Sequence, residues 1–191
     1  SPPTTTPCDE RLKSSCAWCS DVVCPKMECP ADRDALRTLL AGVAASEEKK
    51  QAGCCVDTSE ITDFSSLFDG KQGPFDDEER GTAGAGLDAF GADDALCWDT
   101  SKVTTLSRTF TNAEAFNSEL AWDTSKVTNM GQMFQSAKAF NSDLAWDTSK
   151  LTIFSSTFRS AEAFNAPLVW DTSKVTNMQS TLDGTWAFNQ P

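Results

Sequence analysis

LAWDTSKVTNM, Leu120 to Met130, occurs in four near-copies along this chain. LCWDTSKVTTL begins at Leu96, LAWDTSKLTIF at Leu144 and LVWDTSKVTNM at Leu168. Trp98, Trp122, Trp146 and Trp170 are therefore 24 residues apart, as are Phe110, Phe134 and Phe158, with Leu182 next in that series. Phe116, Phe140, Phe164 and Phe188 keep the same step. A fixed period of roughly 20 to 50 residues marks a solenoid, because one unit cannot bury its apolar face alone and neighbours must stack to share a core.

Outward from the repeats, a degenerate unit precedes them. Val56-Asp57-Thr58-Ser59-Glu60-Ile61-Thr62 with Phe64 and Phe68 matches Trp98 to Thr104 with Leu106 and Phe110, 42 residues upstream. The excess of 18 over the 24-residue period falls in a Gly-rich, acidic stretch read as a loop over about 69–86. The expected organisation is a disulfide-stapled N-terminal cap over 1–53 and a repeat solenoid over 54–191. Leu36, Leu39, Leu40 and Val43 share one helical face, which predicts a cap helix over about 32–46.

Within a unit, Leu120 and Trp122 sit two apart, as do Leu144 and Trp146, so each pair shares one side of an extended segment. A short strand is expected there, with strands of successive units in parallel about 4.8 Å apart. Val127, Met130, Met133, Phe134 and Ala137 form the stripe of a short helix or helical turn on the opposite side, capped by Asp123, Thr124 and Ser125.

Composition narrows the classes of function. A net charge of −12 argues against nucleic acid and anionic lipid surfaces as partners. No apolar run approaches the roughly 18 residues of a membrane span, and SPPTTTP lacks the basic and apolar regions of a signal peptide. Eight cysteines, seven of them clustered from Cys8 to Cys55 as Cys8, Cys16, Cys19, Cys24, Cys29, Cys54 and Cys55, point to a secreted, cell-surface or other oxidising compartment, an organelle lumen included. The absence of histidine removes the usual general base and the usual metal ligand.

WDTSKVTNMGQMFQSAKAFNSDLAW and the closing FNQP resemble the repeat of the BspA-like leucine-rich repeat surface proteins. DRDALRTLLAGV followed by VDTSEITDFSSLFDG is similar to the segment that leads into such repeats. The resemblance spans roughly residues 31–191 and implies an α/β, leucine-rich-repeat-like right-handed solenoid of about five 24-residue coils. It also implies, more loosely, a surface or adhesive role.

The repeated polar residues read first as structure. Asp99, Asp123, Asp147 and Asp171 form a ladder of like charges, offset by helix N-terminal amides and by Lys102, Lys126, Lys150 and Lys174. A row of calcium sites is the alternative, against which the lysines compete. Asn117, Asn141, Asn165 and Asn189 are expected to bond turn backbone. Cys55 and Cys97 occupy equivalent positions of adjacent coils, within reach of a disulfide; the alternative is a shifted register in which both pair elsewhere. The other six cysteines permit fifteen pairings. Cys16-Ala17-Trp18-Cys19 is a lone C-x-x-C, weak support for redox work or zinc. No cofactor, metal or catalytic residue is expected.

A protein partner would meet the side chains that alternate with Leu and Trp: Glu119, Ala121 and Asp123; Asp143, Ala145 and Asp147; Pro167, Val169 and Asp171. The alternative is a solvated face that binds nothing. Phe75 with Asp76 and Asp77 in the acidic loop is the second candidate contact. The chain stops partway through a coil, which leaves an apolar edge that either a continuing chain or another protein would cover. The functional expectation is a non-catalytic recognition or adhesion module; the alternative is a structural accessory subunit of a large assembly, docked through that edge or the loop. A carboxylate enzyme such as a glycoside hydrolase would need two acids facing each other across a cleft, which a ladder of acids does not supply.

Overall fold

The computed structural model describes residues 32–36, 58–69 and 98–191. Successive repeat units lie on one another in parallel register: bridges pair Asp63 with Thr105, Thr105 with Asn129, Asn129 with Ile153, and Ile153 with Asn177. The first step is 105 − 63 = 42 residues, so the degenerate unit stacks in register with the others despite its insertion. Each junction is a single bridge, and no longer strand forms among the described residues.

The segment after each bridge explains why. Met133, Gln135 and Ala137 donate their N–H groups three residues back, to Met130, Gln132 and Phe134. Met130, Gln132, Phe134 and Ser136 donate instead to Ile153, Ser155, Thr157 and Arg159 of the next unit, at 2.8–3.0 Å. Alternate amides thus close β-turns within the coil and join it to its neighbour. The φ angles that permit this are left-handed: 59° at both Gln132 and Ser136, 55° at Ser156, 57° at Ser160 and 73° at Gly184. An α-helix would keep every N–H inside its own segment, four residues back, and leave the coils joined by side chains alone. The expected helix is therefore corrected to a run of overlapping turns. Its apolar stripe still faces inward, since Val127, Met130, Met133, Phe134 and Ala137 are all buried.

The expected strand at Leu-x-Trp needs a similar correction. Leu120, Trp122 and Thr124 point in while Glu119, Ala121 and Asp123 point out, the alternation of an extended chain, yet no backbone ladder forms there. Side chains make the junction instead. The Trp146 indole donates to the Leu120 carbonyl at 3.0 Å and Trp170 to Leu144 at 3.1 Å. Buried Thr100, Thr124 and Thr148 donate through Oγ1 to the carbonyls of Asp123, Asp147 and Asp171.

Phenylalanines fill the interior in two files. Phe68, Phe110, Phe134 and Phe158 stack with centroids 5.3, 5.5 and 5.6 Å apart. Phe116, Phe140, Phe164 and Phe188 stack at 5.9 to 6.0 Å. The files touch at 4.2 Å or less, as at Phe134 and Phe140. Each buried ring contributes about 1.5–3 kcal/mol, and the in-register repeat is what lets every ring meet a copy of itself. Trp98, Trp122 and Trp146 are buried beside them; Trp170 packs on the same core but is only half-buried.

Asp32 caps a helix described over 33–36, its Oδ1 accepting the Ala35 N–H at 2.9 Å. Leu36 is fully buried in the repeat core and Arg33 reaches Asp63 at 3.6 Å, so this helix packs on the first unit. The rest of the expected cap helix, all eight cysteines including the Cys55–Cys97 pair, and the loop over 70–86 lie outside the described residues. Among the described residues no helix is long and apolar enough to cross a membrane.

Candidate functional site

The in-and-out alternation around each Trp sets three columns of side chains on the surface. Glu119, Ala121 and Asp123 are exposed, as are Asp143, Ala145 and Asp147, and Pro167, Val169 and Asp171. All nine expected contact residues therefore sit on one outward face, with small or apolar residues in the middle column and acids on its flanks except at Pro167. Val169 is 91% exposed. The face is held from behind by the buried Trp and Thr residues that tie each coil to the next, which makes the column spacing a property of the core.

The Asp ladder is organised locally. Asp123, Asp147 and Asp171 each accept the N–H of the serine two residues on, at 2.9 Å, the bond that defines an Asx turn. The Ser125 hydroxyl and amide hold the Asp123 carboxyl below its ordinary value, with Lys126 adding to the effect and Asp147 opposing it. Ser149 and Ser173 do the same for Asp147 and Asp171, helped by Lys150 and Lys174. Serine hydrogen bonds thus outweigh the lysines, and a turn replaces the helix N-terminus expected at this position. Among the described residues no three His, Cys, Asp or Glu side chains converge in a way that could hold a metal.

The Asn ladder does bond turn backbone, across coils: Oδ1 of Asn117, Asn141 and Asn165 accepts the N–H of Asn141, Asn165 and Asn189 at 2.7–2.8 Å. Phe75, Asp76 and Asp77 lie outside the described residues.

One surface feature escaped the sequence reading. Thr104, Thr128, Thr152 and Thr176 form a column whose hydroxyls donate to the carbonyl of the threonine one coil earlier, at 2.9–3.2 Å. The repeated Val/Leu-Thr pair was its only signal. In the last unit, Met178, Leu182 and Trp186 are 50%, 38% and 84% exposed. With Phe154, Leu168 and Trp170 the first two line an open groove of about 320 Å³.

A family model described as "Mycoplasma protein of unknown function, DUF285" matches residues 85–191. The chain belongs to this family. The DUF285 match covers more than half of the chain and all four WDTSK units, and leaves out the degenerate unit at 58–69. The family's description assigns no activity. No curated protein and no solved structure matches the chain.

Proposed function

We propose that this chain is a non-catalytic protein-recognition or adhesion module of a secreted or cell-surface repeat protein, with the stacked units forming a leucine-rich-repeat-like right-handed solenoid of the BspA-like kind. The observation that carries the reading is the outward face, where Ala121, Ala145 and Val169 form a small-to-apolar central strip flanked by Asp123, Asp147 and Asp171 on one side and by Glu119, Asp143 and Pro167 on the other, backed by a packed core. A partner surface can approach such a strip closely, and the flanking acids favour one with basic residues. It offers a small molecule little concavity. The eight cysteines support an oxidising compartment.

A native pull-down with mass spectrometry tests this, using the full chain beside Ala145→Arg on the face and Ala139→Arg on a different exposed position. A partner retained by the parent chain and by A139R but lost with A145R supports the proposal. Retention of nothing above background, or of the same partner by A145R, rejects it.

The second reading, an accessory subunit of a large assembly, is favoured by the open apolar edge at Met178 and Leu182. Size-exclusion chromatography separates the two: the module stays monodisperse alone, the subunit aggregates or co-purifies with its host.

A further inference from the structure

One outward column of the stack sets an aromatic ring beside an unpaired carboxylate. Glu114, Lys138, Glu162 and Trp186 are 24 residues apart, and all four are exposed. Backbone bonds fix their register: the N–H groups of Ala139, Ala163 and Ala187 donate to the carbonyls of Glu114, Lys138 and Glu162 at 3.0, 3.0 and 3.2 Å. Lys138 and Glu162 have a coil on either side and still face outward, so a coil stacked after Trp186 would extend the column without covering it. Trp186 is 84% exposed and takes no part in the apolar groove of Phe154, Leu168, Trp170, Met178 and Leu182.

The first pair in the column shows what this spacing brings together. Lys138 Nζ donates to Glu114 Oε2 at 3.0 Å, so a cation one coil on reaches the carboxylate before it. At Glu162 the place of that cation is taken by Trp186, and the Glu162 carboxylate forms no ion pair among the described residues. The bases around it are engaged elsewhere: Lys138 is held on Glu114, and Arg159, three residues before Glu162, reaches Asp183 at 3.4 Å. A carboxylate and an indole face are the two groups that together hold a guanidinium, the first through charge-assisted hydrogen bonds and the second through attraction of the cation to the ring.

We propose that Glu162 and Trp186 form a receptor for an arginine side chain of a protein partner. A guanidinium is planar, so it stacks on the indole while its N–H edge meets the carboxylate; a lysine ammonium, a strongly hydrated point charge, does this less well. The site lies on a different column from Ala121, Ala145 and Val169 and adds a second contact to that face. Only the assignment of the arginine to a protein rests on the recognition reading.

The probe is N-acetylarginine amide, titrated into the isotope-labelled full chain and followed by magnetic resonance through the indole N–H signals of its six tryptophans, with the Trp186 signal assigned by its loss in Trp186→Phe. Expected is a saturable shift of that signal, with affinity at least about threefold weaker in Glu162→Gln, with the neutral isostere N-acetylcitrulline amide, and at high salt. Circular dichroism of Glu162→Gln checks that the variant keeps its fold. No saturable shift, an equal response to the citrulline probe, or an unchanged response in Glu162→Gln overturns the inference. Choline bound more tightly than the arginine probe also overturns it, by assigning the site to a quaternary amine instead of a protein side chain. Because the probe needs no partner, its failure leaves the face at Ala121, Ala145 and Val169 standing, and an empty pull-down leaves the probe result standing.

Discussion

The indole Nε1 of Trp146 donates to the carbonyl of Leu120 across 3.0 Å, and both groups are buried. Trp98 occupies the same column, but its buried Nε1 has no hydrogen-bond partner among the described residues. Replacing Trp by Phe at the two sites removes similar surface and differs in one bond. Trp146→Phe leaves a buried carbonyl short of a donor, a loss of about 1–3 kcal/mol on top of packing, whereas Trp98→Phe removes an unsatisfied donor. W146F is expected to cost more than W98F by about 1–2 kcal/mol in urea unfolding. Equal costs would show that the indole bond contributes nothing to the junction.

The left-handed positions offer an independent test of the turns. Ser136 has φ 59° and Gly184, at the equivalent position one end of the stack away, has φ 73°. A side chain in this region costs about 1–2 kcal/mol, while glycine loses about 0.5–1 kcal/mol in chain entropy. Ser136→Gly is therefore expected to stabilise by about 0.5 kcal/mol. Gly184→Ala is expected to destabilise by about 1–2 kcal/mol, since its Cβ would also stand 3.2 Å from Ser160 Oγ. Thermal melts of the two variants should move in opposite directions. If Gly184→Ala leaves the melt where it was, the left-handed assignment there is wrong.

These turns also mark the limit of what the sequence discloses. The columns of Trp, Phe, Leu and Val follow from the 24-residue period, and every one of them faces inward through residue 164, because burial depends only on register. The outward face at 119–123, 143–147 and 167–171 follows from the same alternation. Conformation is less visible. The spacing of Val127, Met130, Met133, Phe134 and Ala137 satisfies a helix, but overlapping turns place side chains on one side at that spacing too. The discriminating signal was the series Asn112, Ser136, Ser160 and Gly184, small polar residues and a glycine where a helix would favour long ones. Likewise the extended Leu-x-Trp segment gives no sign that a Trp indole and a Thr hydroxyl will replace the backbone ladder.

Acid should weaken the fold through the Asp ladder, and the sign follows from the carboxyl groups. Asp123, Asp147 and Asp171 are held below the ordinary value of 3.8, first by bonds from Ser125, Ser149 and Ser173. A depressed folded value contributes stability that is complete above the unfolded value and is lost as pH falls through the folded one. The window is therefore below about pH 4. Asp123→Asn/Asp147→Asn/Asp171→Asn keeps an Oδ1 acceptor for each serine amide and removes the titration. Its melting temperature should fall less steeply than the parent's between pH 5 and pH 2. Parallel curves for the two proteins would remove the ladder from the acid response.

Hydrogen exchange should resolve the stack coil by coil. Phe154, Ser156, Phe158 and Ser160 donate to the next unit at 2.8–2.9 Å, so each is released only when a junction opens. Met178, Ser180, Leu182 and Gly184 hold the equivalent turn positions, more exposed and without such an acceptor among the described residues. In a stack whose units touch only their neighbours, opening begins at a free edge and inner coils follow. The amides of Met178, Ser180, Leu182 and Gly184 are expected to exchange near intrinsic rates, and the four amides one coil earlier at least about a hundredfold more slowly. Ser156 and Ser180 give the cleanest comparison, since they share residue type and left-handed geometry, φ 55° and 54°. Uniform protection from 150 to 190 would mean that the edge is covered in solution, and uniform exchange would mean that the alternating bonds do not hold the coils together.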